Sequence, residues 1–179
     1  EVMYKITKDQ LAVTYNVENT GEGPMYFSIG AHPAFKVPLT TNSTYEDYYL
    51  HFEVEENVPR WPISADGLLK DQPVAFLSNS SSLQLSHQLF REDALVFKNL
   101  RSKKISIQSK KHEHGLEFFF DGFPLLGIWS AGNAEFVCIE PWCGVADSES
   151  HDQQLEKKEG IIRLAPGPKW TRTWTARFY

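Results

Sequence analysis

Apolar and polar residues alternate along most of this chain, in short runs broken by turn residues. Val2–Ile6 and Gln10–Val17 are predicted to form a hairpin turning at Thr7–Asp9, with Leu11, Val13 and Tyr15 sharing one face. A turn rich in Gly and Pro at Asn19–Pro24 leads into a strand at Met25–Ile29. Further strands are predicted at Tyr48–Val54, Leu83–Leu85, Ala94–Asn99, Lys104–Gln108, Leu116–Phe120, Leu125–Trp129, Phe136–Glu140, Ile161–Leu164 and Thr171–Phe178. Asp66-Gly67, Asp121-Gly122-Phe123-Pro124, Gly132-Asn133 and Pro166-Gly167-Pro168 punctuate them. Helical patterns are confined to Ser86–Phe90 and Asp152–Lys158, each long enough for a turn or two. The pattern predicts an all-β fold, an antiparallel β-sandwich or barrel. No repeat, no internal linker and no low-complexity tract beyond Ser78–Ser82 divides the chain, so residues 1–179 read as a single domain.

One run departs from the alternation. In FVCIEPWCGVADS, residues 136–148, an apolar strand meets Glu140, then Pro141 and Trp142. Pro141 is expected to end the ladder there. Most glutamates are solvated or paired at a surface, and a strand-end carboxylate near an arginine is the ordinary reading. A carboxylate beside a flat aromatic face at the mouth of a sheet also suits holding a sugar and moving its protons. His32 lies in SIGAHPAFKVPL, residues 28–39, where Gly30 and Ala31 let the backbone run close to a neighbour and Pro33 stiffens the exit. A loop histidine satisfied by backbone groups is its ordinary reading. Histidine is also the side chain that changes charge near neutral pH, which would complement an acidic partner.

Asp93, in HQLFREDALVF, reads either as a turn or cap residue or as a fixed acceptor for sugar hydroxyls. Asp147 in GVADS has the same two readings, with the turn reading stronger. Trp129 alternates into a sheet, where core packing is the default. His112-x-His114 lies in a charged turn and reads as solvated. It has no third ligand in sequence, so no metal is assigned.

The formal net charge is -5, with Lys and Arg scattered. That speaks against nucleic acid or an anionic membrane surface as partner. There is no run of transmembrane length and no recognisable signal peptide. The chain opens on Glu1 and enters a strand almost at once, the pattern expected of a processed or truncated N-terminus. Cys138 and Cys143 match neither a zinc pattern nor a disulfide framework and read as reduced thiols in a cytoplasmic protein. Phosphate-binding, dinucleotide-binding and GxSxG motifs are missing, which removes several large enzyme classes.

Taken in order, SIGAHPAFKVPL, LFREDALVF, FPLLGIWS, FVCIEPWCGVADS and KEGIIRLAPGPKW resemble the aldose 1-epimerases (galactose mutarotases), with the LacX-type bacterial branch nearest. The resemblance covers essentially the whole chain and implies a large antiparallel supersandwich. It also implies interconversion of the α and β anomers of a free hexose by general acid and base, with no cofactor. On this resemblance Glu140 takes the place of the general base, His32 of the general acid, and Asp93 of an aspartate that binds sugar hydroxyls. Trp142 or Trp129 would stack on the monosaccharide. Family members are longer, and their N-terminal part supplies strands plus an arginine and a histidine with no counterpart here. The chain therefore resembles the family's C-terminal part, and open sheet edges leave room for homo-oligomers. The Lys in PGPKW departs from the family's usual acidic residue. Two other readings follow: a non-catalytic carbohydrate-binding β-sandwich and, ranked last for want of a basic cluster, an epimerase of phosphorylated hexoses.

Overall fold

The computed structural model describes residues 1–179. Two antiparallel sheets enclose the main core. The larger has seven strands: β1 (Val2–Thr7), β2 (Gln10–Glu18), β14 (Lys169–Phe178), β10 (Leu116–Phe119), β9 (Lys104–Ser109), β6 (Tyr48–Arg60) and β7 (Val74–Gln84), in that spatial order. In the smaller sheet, β4 (Ile29–Gly30) pairs with β12 (Phe136–Cys143), then come β11 (Leu125–Trp129) and β8 (Leu95–Lys98), while β5 (Ala34–Lys36) also pairs with β12. A two-stranded ribbon joins β3 (Met25–Phe27) to β13 (Ile162–Leu164). The strands match the β-branched and aromatic alternation of the sequence, because each needs one face to bury.

Side-chain alternation assigns the two faces of the smaller sheet. Val137 and Ile139 of β12, Leu126 and Ile128 of β11, and Leu95 and Phe97 of β8 point into a core of 28 buried residues. From the larger sheet that core receives Val13, Leu50, Phe52, Ile105, Ile107, Phe118 and Trp174. The opposite face of the smaller sheet carries Val96 and Leu125, which pack with Leu69, Ala94 and Val145 under Trp61, Trp129 and Trp142. Cys138 and Glu140 share the parity of that second face.

Several elements differ from the sequence prediction. Pro141 does not end the ladder: β12 continues to Cys143, with Pro141 opposite Leu126. The reason is topological. Within a strand the N–H and C=O of one residue face the same neighbour, and the Pro141 carbonyl faces Ala31, accepting its N–H at 3.1 Å. Residues 31–33 are where the neighbouring chain breaks between β4 and β5, so the missing proline N–H interrupts no ladder bond. The polar run SNSSS also proves to be strand, because β7 spans Val74–Gln84 and leaves Ser78 and Ser82 exposed. β6 extends past Val54 to Arg60 with irregular register, and β5 was not anticipated. The two short helical segments are 3-10 turns at His87–Phe90 and Leu155–Lys157, and a third lies at Tyr45–Asp47. No helix is long and apolar enough to cross a membrane.

Candidate active site

The site grows from the break between β4 and β5. Both strands pair with β12, at Trp142–Cys143 and at Phe136–Cys138 respectively, so the connecting residues 31–33 arch over the middle of β12. Glu140 stands under that arch, and His32 Nε2 lies 3.4 Å from Glu140 Oε1. Glu140 is 4% exposed, whereas the His32 side chain is 60% exposed, so the pair has one buried and one open member. Trp129 meets the imidazole edge-on, with ring centroids 5.7 Å apart and planes at 83°. It thus limits the tilt of His32.

Trp142 spans three strands. Its backbone pairs with Gly30 on one side and Leu125 on the other. A Cβ on Gly30 would fall 2.5 Å from Trp142 Cδ1, and one on Gly127 would fall 2.4 Å from Cζ2. The indole therefore lies flat on two glycines, where any larger side chain would lift it. Gly30, legible in sequence as a place of close approach, makes that approach to Trp142, and Gly127 is its unnoticed counterpart. The result is an open cavity of about 480 Å³ bordered by Ser28, Gly30, His32, Glu140, Trp142 and Val145 among others.

Burial in this cleft pushes the Glu140 carboxyl above the ordinary carboxylate range, and the negative charge of Asp93 adds to the shift. His32 and the Trp142 indole N–H act in the opposite direction, since both favour the ionised form. Asp93 is exposed, sits just before β8 with φ of 76°, and accepts the Ala94 N–H at 2.6 Å through Oδ1. Its turn role and its electrostatic reach to Glu140 thus coexist. Trp129 does not border the cavity, though it contacts its histidine. Asp147 is held by Lys158 and lies 3.7 Å from His151, a local ion cluster. His112 is half-buried rather than solvated, with Nε2 2.7 Å from the Tyr48 hydroxyl.

Both thiols are free, and they part company across the sheet. Cys143 enters the main core, while Cys138 lies two residues before Glu140 on the same face. Burial and the neighbouring Glu140 push the Cys138 thiol up to about 12. The sequence reading did not group Cys138 with His32 and Glu140. The only signal for it was the i, i+2 spacing within β12.

Known proteins share the sequence pattern and the fold. A family model described as aldose 1-epimerase matches residues 1–173. The chain belongs to the aldose 1-epimerase family. The LacX protein (chromosomal) of Lactococcus lactis is 37% identical over 170 residues, covering 92% of this chain and 56% of LacX. A solved galactose mutarotase related enzyme from Lactobacillus acidophilus superposes with a TM-score of 0.90 at 31% identity, over 99% of this chain and 60% of that one. A galactose mutarotase-like protein from Lactobacillus casei gives 0.88 at 26% identity, over 99% and 62%. The chain thus spans about 60% of the length of these epimerase-family relatives, and its antiparallel architecture is theirs.

Proposed function

We propose that this chain carries the acid–base pair of an aldose 1-epimerase acting on a free hexose, with Glu140 as base and His32 as acid. The observation that carries the reading is the 3.4 Å approach of His32 to a buried Glu140 beside an open cavity walled by an indole. The anomeric hydroxyl and the ring oxygen of an aldose share one carbon, so two groups this close can each reach one of them. Ionised Glu140 takes the proton from the anomeric hydroxyl while protonated His32 delivers one to the ring oxygen. The C1–ring oxygen bond breaks and an aldehyde forms. Rotation about C1–C2 and reclosure with the proton transfers reversed yields the other anomer, with no net oxidation and no cofactor consumed. Each such group is typically worth ~10²–10⁴ in rate.

Burial supports the role of Glu140, since a carboxyl with a raised pKa is a stronger base once ionised. Asp93 is the proposed acceptor for sugar hydroxyls. Trp142, flat at the cavity wall, is better placed to stack on a sugar than Trp129, which faces His32. The test is anomer exchange of freshly dissolved α-galactose or α-glucose, followed by polarimetry or NMR. Acceleration by the parent and a loss of at least ~10²-fold in Glu140→Gln are expected. Sugar binding without acceleration would favour the carbohydrate-binding reading instead.

A further inference from the structure

The chemistry-bearing groups of the cleft are not limited to an acid and a base. One ligand atom each from His32, Cys138 and Glu140 lies within 4.8 Å of the other two. From this convergence of imidazole, thiol and carboxylate we infer a binding site for a thiophilic divalent cation of the zinc class. An ion held there would occupy the lone pairs that the proposed acid and base use, so its binding excludes their action on sugar.

The donor set selects the ion. Sulfur and imidazole nitrogen favour zinc, cobalt or cadmium over magnesium or calcium, which take oxygen ligands. Ionised Glu140 and a Cys138 thiolate together cancel the charge of a dication. A neutral site can then form where Cys138 and Glu140 are almost wholly buried, at 1% and 4% exposure. Ligation is balanced: the Cys138 S–H bond breaks, its proton leaves to solvent, and a sulfur–metal bond takes its place.

Tetrahedral zinc ligands at ordinary bond lengths stand ~3.3–3.6 Å apart. His32 Nε2 and Glu140 Oε1 already meet that spacing at 3.4 Å. The remaining closure is about 1 Å. His32 is the exposed member, on an arch that β12 anchors at both ends, and so is the ligand freest to move. With three protein ligands, the fourth position is left to water, as in three-ligand zinc sites.

The test is titration of the purified chain with Co²⁺ in the absence of sugar, followed by displacement with Zn²⁺ against a chromophoric chelator. One equivalent of Co²⁺ is expected to produce the near-ultraviolet charge-transfer band of a thiolate ligand. Cys138→Ser should abolish that band and weaken Zn²⁺ binding by at least ~10–100-fold, the range for disturbing even an outer partner of a metal. Cys143→Ser and His112→Ala should bind as the parent does. Should Cys138→Ser fail to fold by circular dichroism, His32→Ala, altered on an exposed loop side chain, must show the same weakening. No thiolate band in the parent, parent-like Zn²⁺ affinity in Cys138→Ser or His32→Ala, or loss of binding in His112→Ala would each overturn the site.

Discussion

At the scale of single residues, Glu140 is where stability and chemistry pull apart. Its charge is buried in a cleft that raises its pKa, so the ionised form costs folding free energy. A carboxyl raised in the folded state is favoured when protonated. The penalty is absent below the ordinary carboxylate range and grows as pH rises through the folded pKa. Glu140→Gln should therefore stabilise the fold at neutral pH by on the order of 1 kcal/mol, seen as ~2–4 °C in thermal unfolding. The gain should shrink in acid. A variant less stable than its parent at pH 7 would mean that His32 and Trp142 offset the burial fully. Glu140 and His32 were both legible in sequence because their residue types do not belong where they stand, an acid after an apolar strand and a histidine after Gly-Ala. Cys138 was not legible, since a cysteine in an apolar run reads as an ordinary small hydrophobe.

At the scale of elements, β12 and its neighbours decide the site. Gly127 lies mid-strand in β11, where a glycine weakens the strand, yet Trp142 rests on it. Gly127→Ala would place a methyl 2.4 Å from Trp142 Cζ2 and drive the indole into the cavity. The expected result is a loss of ~1–3 kcal/mol in denaturant unfolding. A changed near-ultraviolet tryptophan signal and slower anomer exchange should accompany it. Unaltered tryptophan spectra would show that the indole does not rely on that glycine. Pro141 illustrates the limit of local reasoning. A proline predicts the end of a strand unless its missing N–H faces a gap, and only the β4–β5 break supplies that gap.

At the scale of the molecule, the seven-stranded sheet carries both its weak edge and its acid sensitivity. β1 is exposed along its whole length, with Tyr4 at 71% and Ile6 at 79%. Such an apolar edge invites pairing with another chain. Ile6→Lys should lower self-association in analytical ultracentrifugation while moving stability by no more than ~0.5 kcal/mol. Equal association of parent and variant would remove β1 from consideration. Farther into the sheet, Glu117 is held below the usual carboxylate range by Lys104, 2.8 Å away, and by Arg177. A depressed folded-state pKa stabilises above the unfolded value, and that contribution is lost as pH falls through the folded one. Glu117→Gln should thus lower stability at neutral pH by less than ~1 kcal/mol and flatten the acid limb of the stability profile below about pH 4. Thermal unfolding across pH 2–7 measures both.

The sequence by itself determined the all-β class and most strand positions, and it singled out the two residues of the proposed acid–base pair. Period-two burial and misplaced polar residues are local signals, written into neighbouring positions. Tertiary structure alone decided what those residues meet. Residues 108 positions apart, His32 and Glu140, come within 3.4 Å because β4 and β5 both pair with β12 and force the intervening loop over it. The same pairing let β12 run through a proline, laid Trp142 across Gly30 and Gly127, and set Cys138 beside the pair. Strand order and register are non-local choices, fixed by which apolar faces can share one core, and no window of sequence contains them.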